Sequence, residues 1–530
     1  MEQKKEGKIT AGTNFSYWTE SSPSAVGLEA LKENIETDVV IVGGGLAGLS
    51  VAYCLVQAGK KIVLVEDGLL GSGETGRTTA HLVTALDNRY YKLEKIFGQK
   101  KTKLIASSHA SAIDFVEQTV RREKIECDFE RVNGYLFLHP SDEKDSLKKE
   151  LEAAVRAGLD VNEEEEKIPG TGKCLRFGGQ AQFHPMKYIK GLCETITKKG
   201  GKIFIQTHAA EIDTNGIKTS DGFTVTAKQV VVATNSPVNY KYSMHLKQYA
   251  YRSYVIGCLV LKNTLPRALW WDTGDFEKNA DIPPYHYVRV APYNDIYDLL
   301  ISGGEDHPIA DTSKTNVPEE DRYILLEKWT QKLFDIKKVI YHWSGQVLEP
   351  MDGIAFIGSN IYGPDNIYIV TGDSGNGMTH GTIAGMLITD MILEKENPWE
   401  DLYRPERFTL KASKPFFKEV IGALMATIKK EPEHKDNVML SSIKKGEAAQ
   451  VELGGENCGV FRDYEGQLHI VSAACTHLKC TVKWNNDEKS WDCPCHGSRF
   501  TYEGKVINGP ANTDLPSYSE KEIAKEIIHK

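Results

Sequence analysis

Val39-Val40-Ile41-Val42-Gly43-Gly44-Gly45-Leu46-Ala47-Gly48 sets the fold of the larger part of this chain. Four consecutive apolar residues, entered through Thr37 and Asp38, fit a strand buried on both faces, as in a parallel sheet. Gly43, Gly45 and Gly48 form a G-x-G-x-x-G pattern that opens a helix through about Ala58. Lys61-Ile-Val-Leu-Val65 reads as the next strand, and Glu66 ends it. Gly43 suits a tight turn, Gly45 lets a pyrophosphate approach the backbone, and Gly48 lets the helix pack on the strand. The first helical turn, with Leu46 and Ala47, offers unpaired N–H groups and a positive dipole end to phosphates. Glu66 lies 18 residues beyond Gly48, close to the spacing of an acid that binds ribose hydroxyls. Strand, helix, strand and acid in this order specify a dinucleotide site far better than glycines alone.

A second constellation lies near the other end. It reads Cys475-Thr-His477-Leu-Lys-Cys480, then Cys493-Pro-Cys495-His496-Gly-Ser498. Two thiolates and two imidazoles are the ligand set of a Rieske [2Fe-2S] cluster, in which two His replace two Cys on one iron. Tetrahedral zinc sites also use Cys₂His₂. Zinc fingers, however, do not pair C-x-H with C-P-C-H-G-S.

The rest of the chain bounds these readings. Its 530 residues exceed one ordinary domain. A net charge of −9 and no basic patch with interleaved aromatics argue against nucleic-acid binding. The charged start, Met1-Glu-Gln-Lys-Lys-Glu-Gly-Lys8, has no apolar segment behind it, so no signal peptide is expected. No apolar run reaches the length of a transmembrane helix. A cytoplasmic location is the expectation. Cys54, Cys127, Cys174, Cys193, Cys258 and Cys458 are scattered and read as reduced, mostly buried thiols.

The Cys/His boxes resemble those of the Rieske proteins of cytochrome bc-type complexes. That resemblance assigns Cys475 and Cys493 to one iron and His477 and His496 to the other, and implies a Cys480–Cys495 disulfide. Lys479 stands where the family usually has Gly. Ser498 matches a hydroxyl near a cluster sulfur, whereas Phe500 replaces the Tyr of high-potential members, which implies a lower potential. Gly509-Pro510-Ala511 resembles the loop that shields the cluster.

The dinucleotide half resembles the D-amino-acid oxidase-like flavoproteins. Gly71-Ser-Gly73-Glu-Thr75-Gly-Arg77-Thr78-Thr79-Ala80 matches their flavin-contacting loop. Asp352-Gly353-Ile354 and, after a strand at Asn366–Thr371, Gly372-Asp-Ser-Gly375-Asn-Gly377-Met378-Thr379 match their closing FAD motif. There a second helix N-terminus points at the flavin ring. Val230–Ala233 resembles the strand returning to the nucleotide domain, and Ile203–Thr207 with Ala209 the segment that meets adenine. His81 matches the His that carries a covalent flavin bond in dimethylglycine and sarcosine dehydrogenases, although Ala80 replaces the Trp of that segment.

Together the resemblances imply a two-domain FAD/Rieske oxidoreductase. The expected fold is an α/β FAD-binding domain (Rossmann-like, D-amino-acid oxidase/glycine oxidase type) with an α+β substrate domain, plus a C-terminal all-β Rieske domain. The FAD domain is expected from 35–110, 180–240 and 340–395, and the substrate domain from 111–179 and 241–339. A linker at 396–435 leads to the Rieske domain at 436–530. In the linker, Phe416–Ile428 fits an amphipathic helix, docked on its own protein or touching a membrane surface. The expected function is an FAD-dependent dehydrogenase taking electrons from a small amine, amino acid or hydroxy acid. They pass through FAD to the [2Fe-2S] cluster and an external acceptor. The alternatives are an electron-transfer reductase, for which a second nucleotide fingerprint is missing, and a redox-sensing protein without turnover. The catalytic residues are not legible; His286, Tyr287, Arg289 and Arg252 are weak candidates for the substrate pocket.

Overall fold

The structure, a computed structural model, describes residues 12, 14–22, 27–238, 244, 247–278, 284–309, 317, 319–359, 364–408 and 440–519. The expected linker helix Phe416–Ile428 lies outside the described residues. No helix among them is long and apolar enough to cross a membrane.

The apolar run Val39–Val42 is the inner part of the strand Ile35–Val42, at the centre of an eight-stranded sheet. It pairs in parallel with Ile62–Val65 on one side and Thr224–Val232 on the other. Parallel strands Lys202–Phe204 and Ile367–Thr371 extend the sheet, and Phe356–Ser359 joins antiparallel. Both faces of the central strand are covered, which is why its sequence does not alternate. Two helices, Leu46–Gln57 and Gly377–Ile392, cross closely over this sheet. A Cβ on Gly385 would come within 2.8 Å of the Ser50 backbone, and one on Gly381 within 3.2 Å of Ala47. This close crossing brings both helix N-termini to one cavity.

A nine-stranded sheet stands beside the first. Its long strands are Gln248–Leu261, Tyr297–Pro308 and Lys338–Pro350, with Tyr287–Pro292, Ala268–Asp272, Glu130–Phe137 and Cys174–Gln182 continuing it. Residues 440–519 form two four-stranded antiparallel sheets. One contains Ala448–Leu453, Glu456–Arg462, Leu468–Ser472 and Ser517–Tyr518; the other Lys483–Asn485, Ser490–Asp492, Arg499–Thr501 and Val506–Asn508. Phe500 and Trp491, paired across strands and fully buried, anchor the core under the Cys/His loops.

The six scattered cysteines are all buried and unbridged, while Cys480 and Cys495 form a disulfide.

Candidate functional site

A cavity of about 320 Å³ runs between the two large sheets and is closed in part by the C-terminal domain. Its dinucleotide end is built from the first strand–helix turn. Gly43 has φ +112° and a Cβ there would meet the Ala233 carbonyl at 2.3 Å, so only glycine fits the turn. A Cβ on Gly48 would lie 1.9 Å from the Gly43 carbonyl. Gly48 therefore seats the helix on the strand and does not face the cavity. Gly45 caps the helix in extended conformation with no side-chain cap, and Leu46 N–H donates to Thr75 Oγ1 at 3.1 Å. The Glu66 carboxylate is oriented by the N–H groups of Gly44, at 2.6 Å, and Gly68, at 2.8 Å.

Of the residues expected at a nucleotide, Gly43, Gly45, Leu46, Ala47, Glu66, Gly73, Thr75, Arg77, Thr78, Thr79, Ala209, Ala233, Gly375, Gly377 and Met378 line this cavity. Four stand behind it. Gly48 packs on the strand, Gly353 takes a turn at φ +80°, Ile354 is core, and the Thr379 hydroxyl bonds His109 Nδ1 at 2.8 Å. The opposed helix N-termini, the oriented acid and the open face at Gly45 fit a dinucleotide flavin.

Arg77 is diverted. Its guanidinium pairs with Glu488 of the C-terminal domain at 2.5 Å, both side chains being buried, and donates to the carbonyls of Ser344 and Asn14. The other arginines behave alike. Arg252 pairs with Asp492 at 2.8 Å. Arg289 donates to the carbonyls of Thr79, Ala80 and Phe183, which props the loop where Ala80 has φ +60°. His286 lies between Asp272 at 3.0 Å and Glu305 at 3.3 Å and stacks on Trp329. Burial opposes its charged form, yet the two carboxylates outweigh this and raise it to about 9. Of the four weak candidates, only Tyr287 lines the cavity. His81 lines it too, with Nδ1 2.9 Å from Thr79 Oγ1. Burial and then the Arg289 charge lower it to about 3, so its ring is neutral.

Sequence reasoning missed the polar groups at the other end of the cavity. Tyr251, Ser253 and Val255 reach it from alternate positions of one strand, with Trp271, Tyr285 and Tyr287 beside them. Asp87 accepts from the Tyr285 hydroxyl, and burial raises its carboxyl to about 6. Asp306 accepts from Ser253, whose Oγ is also 2.5 Å from the Tyr287 hydroxyl. Burial, opposed by that bond and assisted by Asp87, raises Asp306 to about 7. Its Oδ1 is shielded from solvent and has no hydrogen-bond partner in the protein. The period-two pattern Tyr251-x-Ser253-x-Val255 was the available signal, but alternation alone does not say which face meets a ligand.

In the C-terminal domain the two boxes converge. The Cys475 and Cys493 thiols share a hydrogen bond, and the His477 and His496 rings stand 5.1 Å apart. The sulfur of Cys475 also receives the N–H groups of His477 and Leu478 and the Ser498 hydroxyl; that of Cys493 receives the N–H groups of Cys495 and His496. The sulfurs of Cys480, Cys493 and Cys495 lie within 4.8 Å of one another, but the disulfide consumes two of them. What remains is two thiols and two imidazoles among N–H and O–H donors, which fits a Rieske cluster and its sulfur-rich charge. Lys479, at the family's glycine position, has φ +61°.

The Ser498 hydroxyl gives a first test. Ser498→Ala is expected to lower the cluster potential by about 60 mV or more, the one-electron equivalent of about 1.4 kcal/mol, a modest charge-assisted hydrogen bond. Phe500→Tyr, adding a donor in the same core, is expected to raise it. Protein-film voltammetry reads both, and an unchanged potential in the Ser498 variant would refute this tuning.

Three comparisons bear on the two sites. Residues 38–391 match the FAD dependent oxidoreductase family, and residues 437–519 match the Rieske [2Fe-2S] domain. Over 505 residues the chain is 31% identical to YhfW of Bacillus subtilis (strain 168), described as a Rieske 2Fe-2S iron-sulfur protein, covering 94% of this chain and 96% of that one. Over 401 residues it is 27% identical to gamma-glutamylputrescine oxidoreductase of Escherichia coli (strain K12), covering 71% and 88%. The crystal structure of glycine oxidase from Geobacillus kaustophilus superposes with a TM-score of 0.58 at 18% identity, over 71% of this chain and 100% of that one, a likeness of fold alone.

Proposed function

Because this chain belongs to the FAD-dependent oxidoreductase family and carries a Rieske [2Fe-2S] domain, we propose that it oxidises a small organic amine and delivers the electrons to an external acceptor. One observation carries the choice of an amine over an amino acid or hydroxy acid. Asp87 and Asp306 face the cavity among Tyr251, Tyr285, Tyr287 and Trp271, and the only guanidinium among the described lining residues, Arg77, is neutralised by Glu488. Carboxylates and aromatic faces together attract an ammonium group. A substrate carboxylate would find like charge there and no free cation. The name of the Escherichia coli relative, a putrescine derivative's oxidoreductase, supports the same class.

The two groups supply two-electron oxidation at FAD and one-electron relay at the cluster. The protein's part is binding, orientation and proton handling. Asp306 Oδ1 is placed to accept an N–H of the ammonium, and its raised pKa suits it to take up that proton. Ser253, itself bonded to the Tyr287 hydroxyl, orients the Asp306 carboxylate, and Tyr251, Tyr285 and Trp271 line the cavity beside it. The ligand residues proposed for the cluster are Cys475, His477, Cys493 and His496, and the cavity-lining residues named above are proposed for FAD.

Anaerobic mixing with amines, amino acids and hydroxy acids tests this reading. Amines are expected to bleach the flavin absorbance. Bleaching by amino acids alone would overturn the amine assignment, and no bleaching by any class in cofactor-replete protein would favour the reductase or sensor alternative. The carboxyl pKa values set a direction with pH. Asp306 and Asp87, raised to about 7 and about 6, bind a cation only when ionised. kcat/KM for an amine should therefore rise as pH increases through this window and level off above it. Asp306→Asn should lower kcat/KM about 100-fold, the equivalent of ~3 kcal/mol for a buried charge partner, and remove the upper part of the pH step. A wild-type pH profile in that variant would exclude Asp306 from the role.

A further inference from the structure

The C-terminal domain contributes to the flavin cavity itself. Val506, Ile507, Asn508, Gly509, Ala511 and Asn512 line it, all from one segment. Asn512 Nδ2 donates to the carbonyls of Ala209, at 3.1 Å, and Ala210, at 3.3 Å, and the Asn512 carbonyl meets His208 Nε2 at 3.3 Å. His208 Nδ1 in turn lies 3.3 Å from Asp67, the neighbour of Glu66. Asn508 Nδ2 donates to Glu74 Oε1 at 3.2 Å. Glu74 opens the short turn Glu74–Arg77, whose Thr75 holds the Leu46 N–H and whose Arg77 pairs with Glu488. Close packing seals the join: a Cβ on Gly509 would meet Val238 at 3.1 Å. On its other side the same segment meets the second Cys/His loop, where Ala511 N–H donates to Ser498 Oγ at 3.0 Å.

We propose that residues 506–512 of the Rieske domain are a structural wall of the FAD site, so that flavin is held only when this domain is docked, with Asn508 and Asn512 as positioning residues. The argument is one of linkage. The segment touches both the nucleotide-end strands and the turn at Thr75, so ordering it and ordering those elements share the same contacts. A ligand that requires the closed wall must stabilise the docked arrangement, and the docked arrangement must strengthen ligand binding by the same factor. The buried Arg77–Glu488 and Arg252–Asp492 pairs make docking specific, because any other register of the two surfaces would bury these charges without their partners. A Rieske module joined to its flavoprotein only by a linker would have none of these contacts at the cofactor.

The test uses the full chain, deflavinated and retitrated with FAD. Asn508→Ala/Asn512→Ala should bind FAD about tenfold more weakly or worse, the expectation for several lost hydrogen bonds, while iron content and the cluster EPR spectrum stay those of the wild type. In wild-type protein, FAD should slow amide exchange in 506–512 as well as in 208–210. A dissociation constant within about twofold of wild type would overturn the proposal. So would amide exchange in 506–512 that is indifferent to FAD, a result obtained without any variant.

Discussion

Gly45→Val is expected to yield protein without FAD and with its iron–sulfur cluster intact. The three fingerprint glycines are not equivalent in this structure. At Gly43 an added Cβ collides with the Ala233 carbonyl, and at Gly48 with the Gly43 carbonyl, at 2.3 and 1.9 Å. Substitution at either displaces backbone and damages the fold itself. At Gly45 the backbone is ordinary, with φ −78°, and the nearest atom to a Cβ is the Thr75 hydroxyl at 3.2 Å. The protein can accommodate a side chain there by a small shift of Thr75. What cannot be accommodated is the pyrophosphate, which needs the backbone to be bare. FAD affinity should fall at least about 100-fold, or ~3 kcal/mol, at the upper end of what overpacking costs. Flavin released by acid precipitation, measured against iron in the same sample, reads the result. Near-stoichiometric flavin in a soluble Gly45→Val protein would place the phosphates elsewhere. Gly48→Val is the contrasting control, expected to lose soluble protein as well as flavin.

What was legible in the sequence follows from range. The Gly43–Gly48 pattern is written within ten residues, and the Gly48–Gly43 packing is local, so the motif is legible even though the partner of Gly43, the Ala233 carbonyl, is distant in sequence. The Cys/His boxes are nearly as local, since each loop carries its own Cys and His and only 12 residues lie between Cys480 and Cys493. The arginines show the opposite case. Arg77 lies in a loop that resembles a flavin contact, but its guanidinium is claimed by Glu488 from the other end of the chain. Arg252, a candidate for the substrate pocket, is claimed by Asp492. A buried guanidinium must find acceptors for its N–H groups, and nothing in the sequence near either arginine names the partner. Asp87 and Asp306 escaped notice for the same reason. They meet only because the loop after the strand His81–Leu82 and the end of Tyr297–Pro308 converge, with Asp87 held close over Gly375, where a Cβ would meet its Oδ2 at 2.1 Å. Charge spread through a chain becomes a site only when the topology gathers it.

Replacing either imidazole should erase the Rieske cluster. On the proposed ligation, His477→Ala and His496→Ala would each remove one of two nitrogen ligands, and the other sulfurs that lie by the site, Cys480 and Cys495, are tied in a disulfide. The paired rings at 5.1 Å and the adjacent thiols of Cys475 and Cys493 form one constellation, so one lost ligand removes the group rather than weakening it. Wild-type protein should carry about two irons and two acid-labile sulfides per chain, and each variant close to none, with the Rieske EPR signal gone. The two variants differ in their consequence for the flavin. Gly497, next to His496, packs tightly on the flavoprotein, where its carbonyl accepts from Gln346 Nε2 at 3.0 Å and a Cβ would meet Ala250 at 2.8 Å. Thr476, next to His477, instead donates to the Thr513 carbonyl within its own domain. Because the Gly497 contact lies beside His496, His496→Ala should release part of the flavin, whereas His477→Ala should keep it. Stoichiometric zinc in place of iron, in protein produced with ample iron, would defeat the cluster assignment, and a full Rieske signal in either variant would remove that histidine from the ligand set.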